Sequence, residues 1–291
     1  KKYSNIIPFK NKRNLGVSVS LNKALTKANS EYIAFISSDD VMQENRLEKQ
    51  LHFLNKNKNY AAVFSKVKII DEKSRTISHV FENIFNKNFS NRFDVLNQLF
   101  YGGNFLNAPS SMVRKIDLLE VGGFRNSFWQ LQDFELWLKL LLNKKEFYRF
   151  EEYLTYYRIH QTNLSASGHK QPLEVVSRDA NEHLKCLDLF LGIDQICEFK
   201  KIFTDSIYKN NLEKDLIPFY LGIEAYRVFQ NTQNLIYYNF AYSSISKIFD
   251  VEKYRLLLST KHNYSTKNFL ELANSNPFSE IIQNSKIIKI N

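Results

Sequence analysis

The sequence predicts an α/β protein with an entirely helical C-terminal region, and three observations support this fold class. Helical and strand-like segments alternate over the first 70 residues, which is the order typical of an α/β sheet. Glycine nearly disappears after Gly168, where only Gly192 and Gly222 remain and apolar residues recur at helical spacing. No apolar run approaches the ~18 residues of a membrane span. We therefore predict a first domain over residues 1–168 and a helical domain over residues 169–291.

Local spacing predicts the elements of the first domain in order. Predicted helices cover residues 17–28, 44–55, 92–101 and 129–143. Residues 116–124 are predicted to contain one helical turn or more, which the glycine pair at Gly122 and Gly123 stops. Predicted strands cover residues 31–36, 60–70, 75–80, 147–150 and 153–159, with one more after Pro109. In the second helix, Leu47, Leu51 and Leu54 mark the apolar face, and residues 81–91 are predicted to form a loop.

The strand predicted over residues 31–36 ends in four small polar residues, Ser37, Ser38, Asp39 and Asp40. A buried strand that ends in paired carboxylates before a helix places them at the C-terminal edge of a sheet, where open α/β sheets bind ligands. A divalent metal with phosphate is the chemistry that suits such carboxylates. The alternative is an Asp-rich turn that only caps the next helix.

Two more carboxylates, Asp133 and Glu135, open the strongly apolar helix predicted over residues 129–143. Carboxylates in a first turn are stabilised by the helix dipole, so capping alone can explain them. In the same segment, Trp129 and Trp137 are expected in the core or in the wall of a binding site. Trp129, which precedes the helix, is also a candidate to stack on a sugar.

The net charge of +10 is concentrated in the first part of the chain. Residues 1–169 carry 25 basic and 16 acidic side chains, whereas residues 170–291 carry 15 and 14. Such a basic half suggests an anionic partner, which could be nucleotide phosphates, an acidic membrane face or nucleic acid. The two cysteines, Cys186 and Cys197, form neither a metal-binding spacing nor a disulfide framework, which makes a reducing cytoplasm the default.

Five separated segments occur in a recognisable order: NLGVSVSLNKAL, EYIAFISSDDVMQENRLEKQL, NAPSSMVRKIDLLEVGGF, QDFELWLKL and YLTYYRIHQTNLS. Together they resemble the family-2 glycosyltransferases of bacteria, enzymes of the GT-A fold that build surface polysaccharides. The similarity covers residues 10–165. It implies a GT-A-like mixed sheet flanked by helices and transfer of a sugar from a nucleotide sugar, most readily a UDP-sugar, with inversion of the anomeric centre. It also implies a divalent metal, Mn²⁺ or Mg²⁺.

The resemblance also implies roles for individual residues. Asp39 matches the acidic metal ligand, and His160 matches the histidine that reaches the metal or the diphosphate. Asp133 matches the general base that takes a proton from the acceptor hydroxyl. The residues expected along the nucleotide sugar are Asn14, Gly16, Ser37, Asp40 and Arg158, the last as a phosphate contact.

Two departures from the family pattern stand out. Ser37 occupies the position where the family usually has the first acid of Asp-x-Asp, and a serine brings no charge to a metal. The strand, helix and second strand that open the family's nucleotide-binding half do not precede Lys1, so we expect the chain to begin inside the domain. An incomplete sheet would expose an apolar edge and favour association.

Three functions remain open at this stage. The leading one is an inverting, metal-dependent glycosyltransferase with a glycan or lipid-linked acceptor, cytoplasmic or peripheral at the inner face of the membrane. The second is a non-catalytic GT-A-like fragment or interaction protein. The third is a basic nucleic-acid-binding protein, which is disfavoured because no helix-turn-helix, zinc or RNA-binding signature is present. The helical tail is a candidate surface for packing on the first domain, for homo-oligomers or for membrane contact.

Overall fold

The computed structural model describes residues 5–160 and 172–277, which form two compact units. Their described residues are 5–92, 103–160 and 172–182 in the first unit, and 93–102 with 183–277 in the second. The predicted domain boundary, between residues 168 and 169, lies outside the described residues. The division into domains 1–168 and 169–291 therefore stays a prediction.

The first unit contains a mixed five-stranded sheet. Its strands are β1 (Tyr32–Ala34), β2 (Val41–Met42), β3 (Tyr60–Ile70), β4 (Met112–Arg114) and β5 (Glu146–Arg158). Their order in the sheet is β1-β4-β3-β5-β2. The long strands β3 and β5 are parallel, whereas β1–β4, β3–β4 and β2–β5 are antiparallel. The two long parallel strands form the centre of the sheet, and the short strands flank them.

Along the sequence, helices precede and separate the strands, and the described elements after β5 are all helical. The α-helices are α1 (Val17–Lys27), α2 (Arg46–Lys56), α3 (Val80–Phe85), α4 (Arg92–Gly102), α5 (Lys115–Glu120), α6 (Gln132–Leu142), α7 (Leu173–Asp188), α8 (Ile196–Ile202), α9 (Ile217–Thr232), α10 (Leu235–Phe249), α11 (Glu252–His262) and α12 (Thr266–Asn274). The predicted fold class, an α/β mixed sheet flanked by helices and followed by a helical C-terminal region, is confirmed.

The strand before Asp39 is shorter and less buried than predicted. β1 covers only three residues, its side chains are partly buried or exposed, and it lies at the edge of the described sheet. The expectation of a buried strand over residues 31–36 is therefore wrong. The physical reason is that, within the described sheet, β1 pairs on one side only, with β4.

Three other local predictions are corrected. Residues 147–150 and 153–159 belong to the single strand β5. The predicted break at residues 151–152 is a register shift within this strand, because Ser65 pairs with Phe150 and Lys66 with Tyr153. The loop predicted over residues 81–91 contains most of α3. The strand predicted over residues 75–80 contributes only an isolated bridge between Ile70 and Thr76.

Helix α2 buries a different face from the one that its leucines predict. Arg46, Gln50 and Leu54 are fully buried, whereas Leu47 and Leu51 are 38% and 40% exposed. Arg46 is tolerated inside because every nitrogen of its guanidinium donates to a buried acceptor, as described below. Hydrogen bonding to the fold therefore outweighs apolar spacing in this helix.

The core of the first unit is packed around α6. Trp137 is fully buried and meets Phe64 of β3 and Phe147 of β5 edge to face, with ring centroids 5.1 and 5.9 Å apart. Aromatic edge-to-face pairs of this kind add to the stabilisation from apolar burial. This packing fixes α6, the helix that carries Asp133, against the two central strands.

The second unit is helical, and its most extensive helix–helix packing is between α9 and α10. A Cβ on Gly222 would lie 2.7 Å from Ile245, so only glycine lets the two helices approach this closely. Around Phe100, an aromatic cluster includes Phe190, Phe203 and Tyr237. Within the ranges that the structure describes, no helix combines the length and apolarity needed to cross a membrane.

Candidate active site

Asp39 and His160 meet although 121 residues separate them in the chain. The distance from His160 Nε2 to Asp39 Oδ2 is 2.9 Å. Both side chains keep access to solvent, with exposed fractions of 23% for His160 and 32% for Asp39. Asp39 lies in the turn between β1 and β2, and His160 follows β5, so pairing of β2 with β5 brings the two residues together.

Asp40 points into the protein beside this pair. Its Oδ1 accepts a hydrogen bond from the backbone N–H of Arg158 at 2.8 Å, and its own backbone N–H donates to the Ser37 carbonyl at 3.3 Å. Its Oδ2 is buried and has no hydrogen-bond partner among the described residues. Burial, and then the neighbouring charge of Asp39, raise the pKa of Asp40 to about 6, although the Arg158 amide works against this shift.

Arg158 holds the carboxylate turn in place. Its Nε donates to the Asp39 carbonyl at 2.7 Å, and its Nη1 donates to the Asp71 carbonyl at 2.7 Å and the Ser74 hydroxyl at 3.0 Å. The guanidinium thus links the turn at Asp39 to the turn after β3. These contacts indicate a positioning role, and the predicted phosphate contact stays a prediction.

Arg46, which is buried in α2, binds the segment that leads to Asp39. Its Nη2 donates to the carbonyls of Phe35 and Ser111, and its Nη1 donates to the Pro109 carbonyl and the Thr155 hydroxyl. Its Nε donates to Gln50. Burial lowers the pKa of Arg46 to about 10, which leaves the side chain charged at neutral pH, and the charge of Asp40 opposes the shift. Sequence reasoning missed this residue because it interrupts an apolar pattern.

Asp133 lines a small cavity of about 40 Å³. The other lining residues are mostly apolar: Leu21, Phe35, Ala108, Phe124, Gln132 and Trp137. The Asp133 carboxylate accepts from the Phe134 N–H at 2.8 Å and from the Asn104 side chain at 3.2 Å. Burial raises its pKa to about 6, against these hydrogen bonds. A carboxylate that is ionised at neutral pH but has a raised pKa, in a mainly apolar cavity, can accept a proton from a hydroxyl group.

Phe35 joins the Asp133 cavity to the Asp39 turn. It lines the cavity, and it lies two residues before Ser37 in the segment that ends at Asp40. The structure thus gathers Ser37, Asp39, Asp40, Arg158 and His160 into one cluster. It places Asp133 in a cavity walled by the segment that leads to that cluster.

Asn14 and Gly16 form the turn that begins α1. The Asn14 side chain accepts from the Gly16 N–H at 2.9 Å, and Gly16 has a φ of 80°. A Cβ on Gly16 would lie 3.0 Å from the ring of Trp129, so glycine is needed both for its φ and for this approach. Trp129 is 43% exposed, unlike Trp137, and its ring covers the turn.

A carboxylate that sequence reasoning passed over, Glu182 of α7, binds the segment that leads into α6. Its two oxygens accept from the backbone N–H groups of Trp129, Gln130 and Leu131 at 2.7, 2.9 and 2.7 Å. Glu182 is only 6% exposed. The residues around Glu182 in the sequence give no indication of this contact, because its partners lie more than 50 residues away. Only the tertiary structure identifies it.

The residues present fit a divalent cation that takes part of its ligands from a substrate. Among the described residues, no group of three or more His, Cys, Asp or Glu side chains could hold a metal ion. Asp39 and His160 offer two donor atoms 2.9 Å apart. Neighbouring ligands of an octahedral ion with bonds of about 2.1 Å are about 3 Å apart, and Mg²⁺-type ions usually complete their shell with phosphates and water.

Comparison with known proteins shows the family. The family model described as "Glycosyltransferase like family 2" matches residues 3–193, so the chain belongs to this glycosyltransferase family. The resemblance seen in the five sequence segments is thereby confirmed. The family sets the class of protein.

Three proteins illustrate the similarity. An uncharacterized glycosyltransferase of Methanocaldococcus jannaschii is 32% identical over 154 residues, which are 53% of this chain and 51% of that protein. The UDP-Glc:alpha-D-GlcNAc-diphosphoundecaprenol beta-1,3-glucosyltransferase WfaP of Escherichia coli is 28% identical over 173 residues, 58% of this chain and 62% of that one. Staphylococcus aureus TarS, residues 1–349 with UDP-GlcNAc, gives a TM-score of 0.48 at 14% identity, covering 92% of this chain and 73% of that one.

The matched regions cover only part of these relatives. The chain spans about half of the length of the archaeal protein, 51%, and less than two thirds of the enterobacterial one, 62%.

Proposed function

We propose that the chain carries an inverting, metal-dependent glycosyltransferase site that moves a sugar from a UDP-sugar to a glycan or lipid-linked acceptor in surface polysaccharide synthesis. The contact between Asp39 and His160 carries this proposal, because two potential metal ligands far apart in sequence converge at 2.9 Å. The enterobacterial relative supports the choice of substrates, since its name specifies a UDP-linked donor and an acceptor linked to diphosphoundecaprenol.

Asp39 and His160 would hold the cation, Mn²⁺ or Mg²⁺. When bound, it would neutralise the charge that develops on the diphosphate as the sugar leaves. Asp40, bonded to the Arg158 N–H and to the Ser37 carbonyl, would keep the turn in the shape that presents Asp39. Asn14 and Gly16 would lie along the nucleotide, beside the exposed ring of Trp129.

Asp133 would act as the general base. Its raised pKa of about 6 lies near the working pH, where a base combines a large ionised fraction with real proton affinity. The Phe134 N–H and the Asn104 side chain would hold the carboxylate while it takes the proton of the acceptor hydroxyl. Direct displacement by the hydroxyl inverts the anomeric centre and needs one base, whereas glycoside hydrolases use a pair of carboxyl groups for either stereochemical outcome.

The acceptor chemistry bears on where the protein works. A lipid-linked acceptor would bring the chain to the inner face of the membrane as a peripheral protein with its site in the cytoplasm. Self-association through the helical tail remains a further proposal, which the oligomeric state in solution would test.

Calorimetric titration of UDP, with and without Mn²⁺, tests the proposal. We expect Mn²⁺-dependent binding that Asp39→Ala abolishes and that the matched control Glu44→Ala retains, since Glu44 is an exposed acid four residues beyond Asp40. Metal-dependent binding in both variants would move the diphosphate site away from Asp39. Failure of the folded wild-type chain to bind would instead favour the non-catalytic alternative.

A further inference from the structure

Glu182 makes an unusual set of contacts for a single side chain. Three consecutive backbone N–H groups, those of Trp129, Gln130 and Leu131, converge on its carboxylate at 2.7–2.9 Å. Hydrogen bonds to an ionised acceptor are stronger than neutral ones. More than 50 residues separate the acid from the segment that it binds.

The bound segment leads directly into the helix of the proposed base. Leu131 is the residue before α6, it has no side-chain cap of its own, and Asp133 is the second residue of the helix. The first N–H groups of a helix lack partners inside it. Glu182 does not bind those groups but the N–H groups just outside the helix, those of Leu131 and of the two residues before it. It therefore anchors the chain up to two residues before Asp133.

The same segment also reaches the turn proposed to lie along the nucleotide. The Phe128 carbonyl accepts from the Ser18 hydroxyl at 2.5 Å, and the ring of Trp129 covers Gly16. Residues 128–131 thus run from the start of α1 to the start of α6. A shift of this segment would move both sides of the proposed site.

The charge of Glu182 has no cationic partner in the part of the chain that the structure describes. The neighbouring acid of α6, Glu135, differs in this respect, because Arg125 and Lys139 both lie 3.0 Å from it. Burying a carboxylate is unfavourable unless hydrogen bonds compensate it. Among the described residues, the compensation comes from these three loop N–H groups, which ties the acid to the position of the loop.

We propose that Glu182 is a positioning residue, whose carboxylate holds residues 129–131 and thereby sets Asp133 and Trp129 in place for sugar transfer. This inference rests on the proposed function. It assigns to α7, a helix beyond the five family-like segments, a part in the transfer step but none in binding the diphosphate.

The test compares three variants. Glu182→Gln keeps the size of the side chain, but its single carbonyl oxygen cannot accept from all three N–H groups, and its amide group opposes one of them. Glu182→Asp keeps the charge on a shorter side chain and should restore part of the function. Glu174→Gln is the matched control, because Glu174 is an exposed acid on the same helix.

Two measurements report on the variants. Hydrogen exchange follows the amides of residues 129–131. Kinetics follow transfer from UDP-glucose with Mn²⁺ to a synthetic GlcNAc-diphosphate-lipid, alongside UDP affinity. In Glu182→Gln we expect exchange at these amides at least about tenfold faster and kcat about 10- to 100-fold lower, as for other residues that orient a functional group. UDP affinity should fall clearly less than kcat, because the segment reaches the nucleotide side only through Trp129 and the Gly16 turn, whereas the proposed cation ligands Asp39 and His160 belong to other segments.

Unchanged exchange at residues 129–131 in Glu182→Gln would overturn the positioning role by itself. So would a loss of UDP affinity that parallels the loss of kcat, or an equal loss of kcat in Glu174→Gln, because each would indicate a general effect on folding. A wild-type chain that binds UDP with Mn²⁺ but transfers no sugar would count against the proposed function. The exchange measurement would still decide whether Glu182 holds the loop.

Discussion

Asp133 combines a cost in stability with a proposed role in chemistry. Burial raises its pKa to about 6 from an ordinary value near 3.8, so the ionised form is disfavoured in the folded state. Above pH 6 the carboxylate is ionised in both states, and folding loses about 1–3 kcal/mol relative to an unperturbed acid. A carboxylate that destabilises the fold is typical of functional sites.

For Asp133→Asn we expect transfer to fall by about 10²- to 10⁴-fold, the usual contribution of a general base, while Mn²⁺-dependent UDP binding persists. At pH 8 the variant should unfold at the same temperature as the wild type or higher. The difference should shrink as the pH falls from 6 towards 4, because the wild-type acid then takes up its proton. Scanning calorimetry at several pH values measures this, and a large drop in unfolding temperature at pH 8 would contradict it.

The pH dependence of transfer is a second prediction at the residue scale. Asp133 must be ionised to accept a proton, so kcat/KM should decline as the pH falls through about 6. Asp40 protonates in the same range and should steepen the decline. In Asp40→Asn we expect a shallower profile that retains the Asp133 step. A flat wild-type profile between pH 5 and 8 would argue against Asp133 as the base.

At the scale of elements, α2 shows how one buried cation organises several segments. Arg46 bonds the carbonyls of Phe35, Pro109 and Ser111, which belong to segments on both sides of the site. Removal of its guanidinium would leave the partly buried Phe35 and Pro109 carbonyls without this donor, whereas the Ser111 carbonyl would keep the Phe35 N–H. Each unsatisfied buried group costs about 1–3 kcal/mol.

We therefore expect Arg46→Met to lower the free energy of unfolding by about 3 kcal/mol or more. Leu47→Gln, one position further along the same helix, should change it by no more than about 0.5 kcal/mol, because Leu47 is substantially exposed. Urea unfolding of the two variants provides the measurement. If Leu47→Gln were the more damaging change, the face that α2 buries would be the leucine face after all.

At the scale of the whole molecule, the excess of basic side chains in residues 1–169 raises the question of whether the chain binds UDP specifically or any polyanion. Residues 1–169 carry 25 basic and 16 acidic side chains, enough to attract any polyanion at low ionic strength. Nonspecific binding of this kind weakens steeply with salt, since it depends on the release of counterions.

We expect binding to random-sequence DNA, measured by fluorescence anisotropy, to disappear as NaCl rises from about 50 to about 200 mM. Mn²⁺-dependent UDP binding should persist over this range, because it relies on ligands held at short distance. DNA binding that survives high salt and is indifferent to UDP would revive the nucleic-acid hypothesis.

Much of the candidate site could be predicted from local sequence. Asp39, Asp40, Asp133, Arg158 and His160 all occur in short segments with a strand or helix beside them. The structure brings four of the five together and places Asp133 in a cavity walled by Phe35. Their catalytic and metal-binding roles stay predictions until the variants are measured.

The sequence by itself determined the α/β class of the first part of the chain and the helical nature of the C-terminal region, and its five segments indicated the family by resemblance. The fold class follows from periodicity and turn residues, which act between near neighbours in the chain. Tertiary structure alone decided that β1 lies at a sheet edge, that α2 buries Arg46 in place of two leucines, and that Glu182 binds the segment before α6. Each depends on which buried donors find acceptors across the fold. Local spacing carries no record of those distant partners.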